Sequence, residues 1–296
     1  MAITSLNMTE VSRRTFPGLL TEIGPILDCM VRVTKDPSAK TVSVNTFGEV
    51  SGREFTQSDA SWTTDAASST AIDVTMTELY HVMKMNHLSA GQTPADLVDE
   101  YLPVIGRALG KKMFAMMNAL VTAAAYTNTA ITSTAANWDA DDMADAATGL
   151  SVAKASKVGR YAIFDPNYYG ALSKDAAIQQ AYAFGDDGVI KRNVIPSVHG
   201  FRLHEVSDVA ASGDVANLEG WLAAPEAFAV AFSPSAVSTP WAPTYAQVGS
   251  YTEPGVGLTM TTRIWDGNDG NVYIGGFIGF GISRGQVGAL TILKSA

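Results

Sequence analysis

Cysteine is nearly absent from this chain: Cys29 is the only one in 296 residues. No disulfide can form within one copy, which excludes a small cross-linked secreted scaffold. Cys29 lies in the apolar run Ile26-Leu27-Asp28-Cys29-Met30-Val31 and reads as a small buried hydrophobe. Charge is also scarce. Asp, Glu, Lys and Arg make up 17% of residues, against about 25% in typical soluble chains. Many surface positions must then be Ala, Ser, Thr or Gly, as in a protein largely covered by partners or in a secreted one. Positive charge is the scarcer sign, with 20 Lys and Arg against 29 Asp and Glu and a net charge of -9. An acidic chain repels phosphate, which argues against a dedicated reader of DNA or RNA. No apolar run approaches the ~20 residues of a membrane span, so no membrane partner is expected. Ser12-Arg13-Arg14-Thr15-Phe16 looks like a twin-arginine export start, but Pro17, Glu22, Pro25 and Asp28 interrupt the apolar stretch that should follow. A cytoplasmic protein is expected.

Catalytic and metal-binding patterns are equally thin. His81, His87, His199 and His204, with one cysteine and neither H-E-x-x-H nor C-x-x-C, make no metal set. Gly255-Val256-Gly257 and Gly279-Phe280-Gly281 do not complete a dinucleotide fingerprint, and no cofactor is expected. Asp266-Gly267-Asn268-Asp269-Gly270 resembles part of a calcium loop, but position twelve is Phe277 and the flanks are strand-like, so it reads as a hairpin turn. Asp186-Asp187 has no metal-binding company and reads as solvated. Gly281-Ile282-Ser283-Arg284-Gly285 fits the G-x-S-x-G nucleophile elbow. That elbow needs an acid and a histidine downstream, and the eleven residues after Gly285 contain neither. Asp165, delivered by the strand Tyr161–Phe164 into Asp165-Pro166, stands where an α/β enzyme could place a catalytic carboxylate. With Pro at the first helical position and no partner group placed nearby, it reads as a helix cap instead. A chain without enzymatic activity is expected.

The periodicities describe a mixed α+β chain. Residues 1–35 read as an N-terminal arm with short helical potential, Leu19, Leu20, Ile23, Ile26 and Leu27 recurring at helical spacing. Residues 40–47 and 71–79 alternate with period two, Val42 and Val44 on one face of the first, Ile72, Val74 and Met76 on one face of the second. The stretch between them is too long for a turn. It carries Phe55 and Trp62, beside Arg53 and Glu54, and aromatics on a free solvated loop would be unexpected, so it reads as an arm lying on something else. Thr93-Pro94 opens the strongest helix, with one apolar stripe from Val98 through Leu102, Ile105, Leu109, Met113 and Met117 to Ala124. Pro103 should kink it or split it. Asp139 caps a helix over 140–154 with Met143, Ala147 and Leu150 inward. Strand-like stretches follow at 161–164, 200–206 and 220–224. The tail is β, with a hairpin over 257–280 and a last strand at 289–293.

Taken in order, these parts resemble the major capsid protein of tailed bacteriophages, the Hong Kong 97-like fold. Three stretches carry the likeness: the strand-Pro-helix of Tyr161 to Lys174 with Leu172 inward, Ile195-Pro196-Ser197-Val198-His199-Gly200-Phe201-Arg202-Leu203, and Trp221-Leu222-Ala223-Ala224 followed by Glu226-Ala227-Phe228-Ala229. The resemblance implies a division into an N-terminal arm (1–35), an extended loop (36–80), a peripheral domain (81–138) holding a spine helix (94–127), an axial domain (139–245) and returning peripheral strands (246–296). It implies pentamers and hexamers in an icosahedral shell around double-stranded DNA held without sequence specificity, assembled in a host cytoplasm. It implies a portal as a further partner. A separate scaffolding protein, or none, would direct assembly, and subunit interfaces or a cement protein would stabilise the shell. Phe55, Trp62, Arg53 and Glu54 would be inter-subunit contacts, as would one of Tyr168 and Tyr169. Some relatives join a loop lysine covalently to a neighbour, but residues 48–70 contain no lysine, so no such crosslink is expected. The alternatives are an encapsulin-type compartment that encloses an enzyme, a serine hydrolase acting through Ser283, and an exported surface-array protein.

Overall fold

The structure is a computed structural model and describes residues 7–47, 69–86, 94–183, 195, 197–207, 209, 217–235, 247–267 and 271–296. It opens with a helix, α1 (Met8–Leu27), followed by β1 (Met30–Val33), β2 (Thr41–Phe47), β3 (Ser69–Thr75) and β4 (Thr77–Asn86). The longest helix is α2 (Pro94–Asn118), and β5 (Ile131–Thr132) and α3 (Ala140–Val152) follow it. Next come β6 (Tyr161–Phe164), α4 (Pro166–Lys174), α5 (Ala176–Ala183), β7 (Arg202–Glu205), β8 (Leu218–Ala223) and β9 (Phe228–Ser233). The chain closes with β10 (Gln247–Thr252), β11 (Thr259–Asp266), β12 (Asn271–Arg284) and β13 (Leu290–Lys294).

Among the described residues the strands form two larger sheets and a separate ribbon. The first sheet runs β1-β9-β12-β11-β10, with β4 also on β12. The long strand β12 is its axis. It carries β4 along one edge, and β11 and then β9 along the other, because Phe277 pairs with both Tyr80 and Thr261 whereas Phe280 pairs with both Thr77 and Phe232. The second sheet runs β5-β13-β8-β6-β7. The ribbon is the antiparallel pair β2–β3, in the register Val42↔Val74 and Val44↔Ile72.

α1 and α2 pack face to face against the first sheet. Phe16, Leu19, Ile23 and Ile26 of α1 meet Leu102, Ile105, Leu109 and Met113 of α2 in one core, each essentially inaccessible to water. Glycines set how close the helices come. A Cβ at Gly18 would lie 2.2 Å from the Pro103 carbonyl oxygen, and one at Gly106 would lie 2.1 Å from the Thr15 carbonyl oxygen. Only a residue without a side chain allows that backbone approach. The seam explains two departures from the sequence reading. Residues 8–27, read as an arm with short helical potential, are a continuous helix committed to the subunit's own core. α2 also runs as one helix through Pro103, so the split that was one of the two expectations there does not occur. The spine helix expected to reach 127 stops at Asn118; Ala124, the last residue of the expected stripe, is exposed, whereas Val121, Ala125 and Tyr126 beyond the helix are buried.

Two short passages connect the sheets. One is Ala224 with the 3-10 turn Pro225–Ala227, between β8 and β9; the other is residues 285–289, between β12 and β13. They run side by side: Gly285 N–H donates to the Ala227 carbonyl (2.9 Å), Gln286 N–H to the Glu226 carbonyl (2.8 Å), and Ala224 N–H to the Ala289 carbonyl (2.9 Å). The domain limits implied by the resemblance therefore do not coincide with the sheets. β9 lies inside 139–245 yet belongs to the first sheet, and β13 lies inside 246–296 yet belongs to the second. Strand alternation shows which face of a strand is apolar, but it carries no information on which sheet a buried strand joins.

Candidate assembly surfaces

The two candidate catalytic groups, Asp165 and Ser283, have structural work in the fold. Asp165 is the N-cap of α4: its Oδ1 accepts the Asn167 backbone N–H and the Asn167 side-chain amide, both at 2.9 Å. Asp139 caps α3 in the same way, accepting from Asp141 N–H (3.0 Å) and Asp142 N–H (3.1 Å). Ser283 sits in the extended run of β12, paired with Ala229 of β9. Both glycines of its G-x-S-x-G pattern mark close backbone contacts. A Cβ at Gly281 would be 2.5 Å from the Thr75 carbonyl oxygen, and one at Gly285 would be 2.0 Å from that of Glu226. The pattern thus comes from strand packing, since an elbow needs a strand-to-helix turn and β12 leads to β13 instead.

The histidines fall into separate roles. His199 (φ 48) and Gly200 (φ 82) are the two left-handed residues of a tight turn that pairs Val198 with Phe201. Asn, Asp, His and above all Gly tolerate that conformation. His204 Nε2 lies 2.5 Å from Asp28 Oδ2, and Arg202 donates to Asp28 Oδ1 at 3.0 Å. Asp28 is the C-cap of α1, so this trio ties the end of α1 to β7, an edge strand of the second sheet. Next to it the Cys29 thiol lies 3.2 Å from the Tyr161 hydroxyl, and burial pushes the thiol up to about 12. Among the described residues no cluster of His, Cys, Asp or Glu could hold a metal ion. His87, Asp186 and Asp187 lie outside the described residues.

Tyr168 and Tyr169, one of which was expected to face a neighbouring subunit, are both buried within this one. The Tyr168 hydroxyl donates to the Ser133 carbonyl at 2.8 Å, and its ring meets Trp138 edge-on at 6.3 Å. The Tyr169 hydroxyl accepts the Ile195 N–H at 2.9 Å. Burial pushes both phenols up. On a helix as short as α4, Leu172 makes the inward face and adjacent tyrosines can flank it on both sides, so the pair covers the strand β6 beneath. Phe55, Trp62, Arg53 and Glu54 lie outside the described residues. What the structure gives is the root of their segment. Val42, Val44 and Val74 of the β2–β3 ribbon pack on Ala229 and Ala231 of β9. Ser43 on the opposite face donates to Asp73 Oδ1 (2.6 Å). Arg32 holds the ribbon from β1, donating to the Ser43 carbonyl at 2.8 Å. Residues 48–68 therefore leave from a ribbon fixed to the first sheet.

Sequence reasoning passed over a second surface, at the two ends of α3. Arg160, 5% exposed, folds under the C-terminal end. It donates to the carbonyls of Ala147 (3.0 Å), Ala155 (3.2 Å) and Ser156 (2.7 Å) and to the Ser151 hydroxyl (3.1 Å). A guanidinium there takes up carbonyls that the helix leaves unpaired and complements its negative end. Above it the chain turns through Lys154 (φ 60) and Gly159 (φ 76). At the N-terminal end stand Asp139, Asp141, Asp142 and Asp145. Burial, then the charge of Asp139, pushes Asp142 up. Beside them is a recess of about 480 Å³ between the start of α3 and α4. The helix capped by Asp139 was legible in sequence; what only the fold shows is that Arg160 turns back under its C-terminal end.

Comparison with known proteins places this architecture. No family model matches the sequence, and no curated protein matches it. Solved structures do match over most of their length. The capsid of the cyanophage P-SCSP1u is 14% identical, with 91% of this chain and 86% of that chain covered at a TM-score of 0.57. The capsid of Ralstonia phage GP4 is 12% identical over 90% and 87%, also at 0.57. A virus-like particle from Pyrococcus furiosus is 12% identical over 96% and 98%, at 0.55. At these identities the likeness is one of fold. The chain has the α+β fold of tailed-phage major capsid proteins, as the order of its elements implied.

Proposed function

We propose that this chain is the shell-forming subunit of a tailed phage, assembling as pentamers and hexamers into an icosahedral capsid around double-stranded DNA. The observation that carries the reading is the likeness to phage capsid structures over about nine tenths of this chain, in a fold whose candidate catalytic groups all serve as caps, turns or packing contacts. In this reading α2 is the spine, the second sheet with α3 and α4 is the axial domain, and residues 48–68 reach over a neighbour with Phe55 and Trp62 as contacts. The net charge of -9 suits containment without grip, since enclosing DNA needs no base contacts. A portal and a scaffolding protein would join it during assembly in the host cytoplasm. A shell subunit needs no catalytic centre, so no enzymatic activity is expected.

The second reading is a compartment shell that encloses protein. The likeness to the Pyrococcus furiosus particle, which covers 96% of this chain, favours keeping it. Electron microscopy of the expressed chain, with and without candidate scaffold genes, tests both. Closed shells carrying DNA support the phage reading, shells carrying one co-purified protein support the compartment, and a monomer that stays monomeric at high concentration with every scaffold tried contradicts both.

A further inference from the structure

The C-terminal end of α3 carries an apolar ridge that the described residues do not cover. Val152 is 79% exposed, Val158 81% and Val287 41%. They share one patch. A Cβ at Gly288 would touch Ala153 Cβ at 3.1 Å, which sets the segment that carries Val287 against the one that carries Val152. Glu226 accepts the Ser156 N–H at its carboxylate and the Gln286 N–H at its carbonyl, which brings the 156–158 turn beside both. The ridge is also pre-formed, because the four hydrogen bonds of Arg160 fix the turn from below. A surface already rigid loses little freedom on docking. An exposed, rigid apolar patch marks an interaction site more readily than scattered single valines do.

The other end of α3, about 20 Å away for a 13-residue helix, has complementary properties. Asp139, Asp141, Asp142 and Asp145 fall within seven positions with no Lys or Arg among them. The recess of about 480 Å³ is lined by the apolar Ala135, Ala136, Trp138 and Ala171 and by the polar Asp139, Asn167, Lys174 and Asp175. Lys157 stands exposed next to Val158 on the ridge. One end thus exposes valines beside a lysine, and the other is a recess of mixed lining next to four aspartates.

We propose that the Val152–Val158 ridge of one copy of this chain docks into the recess at the acidic end of α3 in a second copy, with Lys157 meeting Asp141 and Asp145. The inference rests on the shell-subunit reading and says which surfaces make the contact around a ring. Two acidic ends repel, so like ends do not pair. Unlike ends at opposite poles of one element give a head-to-tail contact, which closes into a ring when the rotation allows. Complementary charge fixes the register, and the valines supply the apolar area.

The test uses the full chain with its scaffold. Cys29 is buried, so introduced thiols are the reactive ones. A chain carrying Val158→Cys and Ala136→Cys together should give, on oxidation, a ladder of cross-linked copies that ends at ring size, and Val158→Cys alone should stay uncross-linked. Lys157→Glu should lower the yield of rings by about tenfold or more, and adding Asp141→Lys should restore it. Dimers from Val158→Cys alone would mean a symmetric contact and overturn the proposal. Normal shells from the double-cysteine chain without cross-links would overturn it too, while leaving the shell reading intact. A wild-type chain that makes neither rings nor shells refutes the shell reading and this contact together.

Discussion

Replacing Gly106 by alanine sets two effects of known sign against each other. Alanine is the better helix former, by about 1 kcal/mol in a helix interior. Against this, the new methyl at position 106 would lie 2.1 Å from the Thr15 carbonyl oxygen and 2.9 Å from the Leu19 nitrogen. Both are backbone atoms and cannot rotate away, so α1 and α2 must part by about 1 Å or more. Leu19, Ile105 and Leu109 line that seam with no more than 1% exposure, and a gap of about 0.5–1 Å already forfeits a quarter to a half of each dispersion contact. Overpacking costs about 1–3 kcal/mol; with rigid neighbours the upper end applies, and the net loss is about 2 kcal/mol. In a chain of 296 residues that lowers Tm by about 3 °C. Gly18→Ala should behave alike, since its methyl would meet the Pro103 carbonyl oxygen at 2.2 Å. Gly110→Ala should destabilise too, because the Glu22 Cβ at 2.6 Å is fixed to the backbone and the Leu19 carbonyl oxygen lies at 3.2 Å. Gly149→Ala is the control: its methyl would meet nothing within 4 Å, so it should gain up to about 1 kcal/mol. Urea and thermal unfolding of the isolated subunit measure all four. If Gly106→Ala stabilises as Gly149→Ala does, the α1–α2 seam described above is not the native one.

Asp165→Ala should cost about 1 kcal/mol of unfolding free energy, the worth of one N-cap, and Asp165→Asn should recover most of it because the amide oxygen can still accept; loss with both would mean that charge matters there. Cys29, with its thiol at about 12, should resist a thiol reagent at pH 8 until denaturant is added, and modification at the rate of a free thiol in the native state would contradict its burial. A folded pKa above the unfolded one means that the unfolded chain loses its proton first, so this site destabilises the fold as pH rises from about 9 toward 12. Deleting residues 48–68 should leave a subunit with unchanged Tm, because the ribbon below is anchored by Val42, Val44 and Val74, yet one that forms no stable shells; normal shells from that deletion would sink the role given to the segment.

Much of this fold is legible in local chemistry. The caps Asp165 and Asp139 and the alternation of Val42 and Val44 against Ile72 and Val74 each rest on neighbours in sequence, and each element is where those signals put it. What local chemistry could not show depends on contacts between distant residues. The pairing of α1 with α2 rests on Gly18, Gly106 and Gly110, and a glycine in a helix announces a close approach without naming its partner. Pro17 and Pro25 lie inside α1; their cost to an isolated helix is local, whereas the packing of Phe16, Leu19 and Ile23 that outweighs it is not. The rings of Tyr168 and Tyr169 lie inside because Trp138 and Ile195, distant in sequence, cover them. The assignment of β9 and β13 to opposite sheets depends on the two crossing passages at 224–227 and 285–289, where Gly285 permits the contact and no periodicity records it.

The central claim is that this chain builds closed shells, and electron microscopy of particles assembled from it tests that most directly. The account predicts icosahedral shells made of five- and six-membered rings, with α2 and the first sheet outside the ring axes and α3 of each copy running between its two ring neighbours. A reconstruction in which the second sheet and α3 face away from the ring axes, or a subunit that makes no closed assembly with any scaffold, would contradict it.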